Sequence, residues 1–235
     1  MKTSLVLISL FSVFGIGCQS IGDCINGSGP VVISTLDLSP FHSLNFSGSD
    51  IVYLSQGEEQ EVIVEGQQNV IDLLNRSVQN GVWDVRIMEC VRRHEPLVYY
   101  ITMSDIQGLS MTGSGKIIGE NRLNATELDI RLTGSGSIDA EINASVDCEI
   151  TGSGEVILNG DSESADISVT GSGVYEGYDL KTAQADVNIQ GSGDVYLTCT
   201  DILDVLITGS GTVYYKGNPS INSSITGSGK LVSRN

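Results

Sequence analysis

Five aspartates return at a nearly fixed interval: Asp129, Asp147, Asp166, Asp186 and Asp204 are 18, 19, 20 and 18 residues apart, and Asn222 takes the same place one interval later. Carboxylates are hard oxygen donors, and several brought together hold Ca²⁺. Each of the five stands five residues before the first glycine of a Thr-Gly-Ser-Gly motif, with Gln190 replacing the threonine once. The aspartates therefore belong to a repeat, and stacked repeats would set them in a column. At the ~4.8 Å spacing of adjacent strands, neighbouring carboxylates repel by about 0.9 kcal/mol in water before salt screening. The column then has two readings. One is a solvated face that keeps the surface from adding further strands or sticking to other molecules. The other is a line of divalent-cation sites, although a Ca²⁺ loop clusters its ligands locally, which a column with one carboxylate per repeat does not.

Seven serines lie between the paired glycines, from Ser114 to Ser228. Small hydroxyls suit a tight corner, where they can bond backbone or one another, and that structural reading is preferred to catalysis. Acyl transfer needs a nucleophile, a base and a group that orients the base. The two histidines, His42 and His94, stand outside the repeat, neither is spaced like a metal ligand, and no Gly-x-Ser-x-Gly elbow occurs. Gly-Ser-Gly also lacks the Gly-Lys-Ser/Thr that completes a phosphate loop. No catalytic residue, metal site or cofactor is assigned. Arg92 and Arg93, with Arg86 and His94, make the one basic cluster, and with Trp83, Tyr99 and Tyr100 they could line a shallow ligand site in the first half of the chain.

The repeat itself predicts the elements that carry these residues. The first glycines are Gly113, Gly134, Gly152, Gly171, Gly191, Gly209 and Gly227. Two residues before them stand Met111, Leu132, Ile150, Val169, Ile189, Ile207 and Ile225, and apolar residues recur at four and six before. Apolar residues resume four residues after, at Ile117, Ile138, Val156, Tyr175, Val195, Val213 and Leu231. Period-two alternation on both sides of a glycine corner means two half-buried strands per coil. The fold expected is all-β: a parallel β-helix, right-handed, with about seven regular coils over 111–235 and a less regular β-rich section over 30–110. In that section Asn80-Gly81 marks a hairpin leading into Trp83, and Gln67 to Leu74 is the one helical stretch expected.

Phe46-Ser47-Gly48-Ser49-Asp50-Ile51-Val52, Val62-Ile63-Val64-Glu65-Gly66, Asn69-Val70-Ile71, Asn80-Gly81-Val82-Trp83-Asp84-Val85 and the Gly-Ser-Gly series follow in an order that resembles the head GIN domain family of auto-transporter adhesins. The likeness covers roughly residues 30–220. It implies a β-helical protein, exported or lipid-anchored, of a Gram-negative bacterium, and it implies localisation and architecture more firmly than activity.

The N-terminus agrees with export. Lys2, an apolar run from Leu5 to Ile16 and small residues before Cys18 read as a signal peptide over 1–17, with Cys18 as the lipid-accepting cysteine. Gly15 and Gly17 also suit an ordinary secretory cut. Residues 18–29, rich in Gly, Ser and Asn, would form a flexible tether, and 30–235 a single domain. Cys148 and Cys199 sit at different places in the repeat, so a bridge between them is not expected; Cys24 and Cys90 remain, a pair that an oxidising compartment would allow to bridge. A net charge of -17, with only 12 Lys and Arg, excludes nucleic acid as a partner. The partners expected are the membrane, through the lipid, then surface glycans or other envelope proteins, and a second copy of the chain.

The functional expectation is a non-catalytic, adhesin-like or structural module of the cell envelope, held at the outer membrane as a lipoprotein. The second reading is a binding protein for polysaccharide or another small ligand in the irregular section. The third is a glycan-active enzyme, since β-helices include lyases and hydrolases; those resemble this fold but grow long loops around a groove, and coil lengths here vary by only three residues.

Overall fold

The computed structural model describes residues 24–235. The expected signal peptide and Cys18 lie outside the described residues. The head of the molecule holds β1 (Val31–Thr35), β2 (Ser43–Gly48), β3 (Ile51–Gln56), β4 (Glu61–Gln67), the short helix α1 (Gln68–Ile71), β5 (Val78–Gln79), β6 (Val82–Val85) and β7 (Val98–Met103). The coils follow as β8 (Gly108–Gly113), β9 (Lys116–Gly119), β10 (Leu123–Gly134), β11 (Ser137–Gly152), β12 (Glu155–Gly171), β13 (Val174–Gly191), β14 (Asp194–Gly209), β15 (Thr212–Lys216), β16 (Ser220–Gly227) and β17 (Lys230–Ser233). All seventeen strands join one continuous sheet that winds into a β-solenoid.

From β8 onward every pairing is parallel, and each first glycine faces the first glycine of the next coil: Gly134 lies beside Gly113, Gly152 beside Gly134, and so on to Gly227 beside Gly209. The strands form because β-branched and aliphatic residues alternate with polar ones. The inward columns, such as Leu132, Ile150, Val169, Ile189 and Ile207, are at most 1% exposed. Cys148 takes an aliphatic place in one of these columns and is fully buried, and burial pushes its thiol pKa up.

Each corner is closed by backbone. The amide of Ser172 donates to the carbonyl of Gly152 at 2.8 Å, and the same bond recurs from Ser135, Ser153, Ser192, Ser210 and Ser228 to the first glycine one coil earlier. Gly171 shows why no other residue fits there. Its φ is 114°, and an added Cβ would stand 2.6 Å from the Gly152 oxygen. The second glycine answers a different demand: a Cβ on Gly154 would meet the Leu132 side chain at 2.6 Å, so its hydrogen lets the core close against the corner.

The head continues the solenoid further than the sequence pattern implies. β2 pairs in parallel with β8, putting Gly48 beside Gly113, and β3 pairs in parallel with β9. Above this coil, β6 lies on β2 and β7 on β3; β4 and then β1 are added in antiparallel fashion. The Asn80-Gly81 hairpin forms as expected, with φ of 52° and 74° at the two turn residues. The helix is shorter than the stretch expected. Cys24 and Cys90 are bridged, and Ile25 lies beside Val91, so the entering chain is tied to the loop between β6 and β7.

Candidate functional site

The aspartates form the column their spacing demands. Asp129, Asp147, Asp166, Asp186 and Asp204 are direct ladder partners, with Gly108 before them and Asn222 after. One end is partly neutralised, since Arg131 bonds Asp129 and approaches Glu149 at 3.7 Å. Farther along, among the described residues, no Lys or Arg forms an ion pair with the column. The Asp186 carboxyl is held above its usual range, by partial desolvation first and then by the charges of Asp166 and Asp204. Among the described residues no three His, Cys, Asp or Glu side chains converge as metal ligands. The column is a line and not a cage, so its geometry does not gather the oxygens that Ca²⁺ takes.

The residues proposed for a ligand site in the head separate. Trp83 is fully buried beneath Phe41, with ring centroids 5.6 Å apart, and its indole N–H donates to the Asn75 carbonyl at 2.9 Å. Tyr99 is likewise a core residue, packed edge-on against Phe46 at 5.8 Å, and burial pushes its hydroxyl pKa up. Neither lines a surface site. Both stand at inward positions of their strands, Trp83 opposite Leu44 and Tyr99 opposite Val52, and that phase decides their burial. Tyr100, one residue on, points outward, is 39% exposed, and stacks on Tyr53 at 5.3 Å. Arg92 and Arg93 are exposed in the loop after β6, and among the described residues neither forms an ion pair; their backbones hold the entering chain through Ile25 and Gly27. His42 contacts the Ser43 hydroxyl at 3.0 Å and His94 the Glu95 carbonyl at 2.7 Å. Among the described residues neither has a carboxylate within ion-pair distance.

One surface feature escaped the sequence reading. Tyr178, Tyr196 and Tyr214 line the outer wall, Tyr178 edge-on to Tyr196 at 5.4 Å and Tyr196 stacked on Tyr214 at 4.8 Å between centroids, while Lys216 lies 4.2 Å over Tyr178 and Arg234 lies 4.8 Å over Tyr214. The signal was present, since Tyr196 and Tyr214 each stand five residues after a first glycine. Cations cover faces of two of the three rings, so the row reads as a stabilised cluster of side chains. Two open clefts lie where the coils bend opposite the corner. One, of about 490 Å³, is lined by Asn143, Ser145, Asp161, Lys181 and Thr200; the other, of about 460 Å³, by Asp105, Glu127, Asp129 and Asp147.

This architecture is shared with solved proteins. The chain is similar to a putative lipid binding protein from Parabacteroides distasonis, at 25% identity and a TM-score of 0.74, covering 90% of this chain and 99% of that one. It is similar at 24% identity and a TM-score of 0.83 to a putative adhesin from Bacteroides fragilis, covering 89% and 99%, and at 20% identity and 0.75 to a putative adhesin from Parabacteroides merdae, covering 91% and 100%. No functionally curated protein matches. The family model described as "Putative auto-transporter adhesin, head GIN domain" matches residues 40–219, and the chain belongs to that family.

Proposed function

We propose that this chain is a non-catalytic, adhesin-like module of the bacterial envelope, exported, lipidated at Cys18 and held at the outer membrane, with surface glycans or other envelope proteins as partners. The observation that carries the reading is the outer wall of the solenoid. Seven coils in register offer the same outward positions again and again, while the interior is filled by side chains. Such a wall suits many weak contacts repeated along a rod, whose joint strength exceeds that of any single one. Family membership supports the same reading. The test has two arms on intact cells. Fatty-acid labelling should be lost in Cys18→Ser, and protease added outside should remove the chain. Full protection from protease together with absent binding to glycan and matrix arrays would sink the adhesive reading.

A second reading, glycan binding at the head, rests on Tyr100. Its ring is exposed and backed by Tyr53, as a flat sugar face would require. Array binding lost in Tyr100→Ala but kept when the aspartate column is changed to asparagine would favour it.

A further inference from the structure

The two ends of the rod are both open sheet edges, and they are opposite in charge. Between residues 24 and 75 there are seven carboxylates, Glu61 and Glu65 on β4 among them, and no Lys or Arg; the basic residues of the head, Arg76, Arg86, Arg92 and Arg93, follow on the β5–β7 side, against ten carboxylates over 24–103. Between 205 and 235 there are Lys216, Lys230 and Arg234, and no Asp or Glu. Exposed apolar residues gather at the same two places. At the head are Val31 and Ile33 on β1, the latter 73% exposed; at the tail Ile202, Leu206, Ile221 and Ile225 surround β16. Ile221 and Ile225 stand in inward columns and, among the described residues, have no rung above them.

Strand direction makes these ends complementary. β4 is antiparallel to β7, and β1 is antiparallel to β4, so β1 runs the same way as β7 and as every strand stacked below it down to β17. Following the ladder through its partners, Ile33 and Glu65 stand in the same outward column as Lys116, Asp194 and Lys230. Ser34 shares the inward column of Leu231, and Thr35 the outward column of Val232. Among the described residues β1 pairs only with β4, and β17 only with β15. The Cys24–Cys90 bridge ties the entering chain to the loop between β6 and β7 and not to the free edge of β1.

We propose that copies of this chain stack head to tail, β1 of one adding in parallel to β17 of the next, so that one sheet continues through both molecules. Inward residues then meet inward residues, Leu231 lies over Ser34, and Lys230 comes to Ile33 with Glu65 one strand beyond. The tail-to-tail alternative brings six cations together and pairs identical edges only in antiparallel fashion. A heterologous contact of this kind does not close on itself and gives linear arrays. The proposal goes beyond adhesion, because a single copy can bind a surface without assembling.

Two variants of the full chain, Thr35→Cys and Val232→Cys, test it when mixed and mildly oxidised. Among the described residues the native cysteines are bridged or buried, and Cys18 is changed to Ser in both variants. The expected product is a disulfide joining the two different variants. Bridges only between copies of the same variant, or none up to millimolar chain, overturn the proposal. Charge exchange gives an independent readout: Lys230→Glu should weaken association in sedimentation by roughly fivefold, and Glu65→Lys in the same chain should restore it. Equal association across all three chains also overturns it.

Discussion

A methyl group on Gly171 would stand 2.6 Å from the carbonyl oxygen of Gly152, on a backbone held at a φ of 114°. Gly171→Ala must therefore relieve a backbone clash and adopt angles that side chains disfavour, and the expected cost is roughly 3 kcal/mol. Ser172→Ala, which keeps the amide bond to Gly152, should cost less than about 1 kcal/mol. Urea midpoints of the two variants measure the difference, and equal losses would mean that the corner depends on the hydroxyl. The aspartate column makes the opposite kind of prediction. Because desolvation and its neighbours raise the native pKa of Asp186, the charged form is disfavoured by folding. Asp186→Asn should raise stability at neutral pH. That gain should shrink as pH falls through the raised native pKa and vanish below the ordinary aspartate range, where both states are protonated. A gain that persists at acid pH would assign it to packing instead. At this scale the sequence was informative where a residue type recurs, as with the glycines and aspartates. It misled where one large residue was judged by type alone: Trp83 and Tyr99 are aromatic like Tyr100, but their strand phase turns them inward.

Among the elements, the coils from β8 on were legible because each carries its own corner and its own alternation. The coil made by β2 and β3 was not, although Gly48 faces Gly113 as any other pair of corners does. Two features hide it. Asp50 replaces the second glycine of the motif, and its carboxylate accepts the Leu97 amide at 3.0 Å, anchoring the segment that begins β7. Between Gly48 and Gly113 the chain also detours through one antiparallel strand, β4, a helix and a hairpin, which breaks the period. The head is thus a closed excursion placed on an ordinary coil, and the Cys24–Cys90 bridge, 66 residues apart in sequence, fastens its ends. On the chain-entropy view that loop is worth up to about 4 kcal/mol. Reduction should release amide protection in β1, β4 and β6 while leaving β11 to β13 unchanged, because stacked coils contact only their neighbours. Hydrogen exchange with and without reductant reads this directly. Protection lost evenly along the chain would mean that the head and the coils unfold as one unit.

For the molecule as a whole, the consequence of in-register stacking is that length is a variable and cross-section is not. Removing Ser172 to Gly191 joins Gly171 to Ser192, deletes one complete coil and leaves every column in phase, since Gly171, Gly191 and Gly209 are successive partners. The shortened chain should fold with a single cooperative transition. Its denaturant slope should fall by about a tenth, in proportion to the surface removed. Removing only residues 172–181 takes out fewer atoms and, being an even number, keeps the in-and-out alternation, but it joins Gly171 to Thr182, losing a corner and leaving half a coil that cannot span the rung, so the strands that follow lose their register with the coil before. That chain should lose protection from β14 to β17, with new exposure of Leu203, Val205 and Ile207, which are now at most 4% exposed. The smaller deletion should therefore do the greater damage, an order that a globular core with irregular contacts would not give. If both deletions cost the same, neighbouring coils would not be the unit of stability, and stacking copies end to end would lose its physical basis as well.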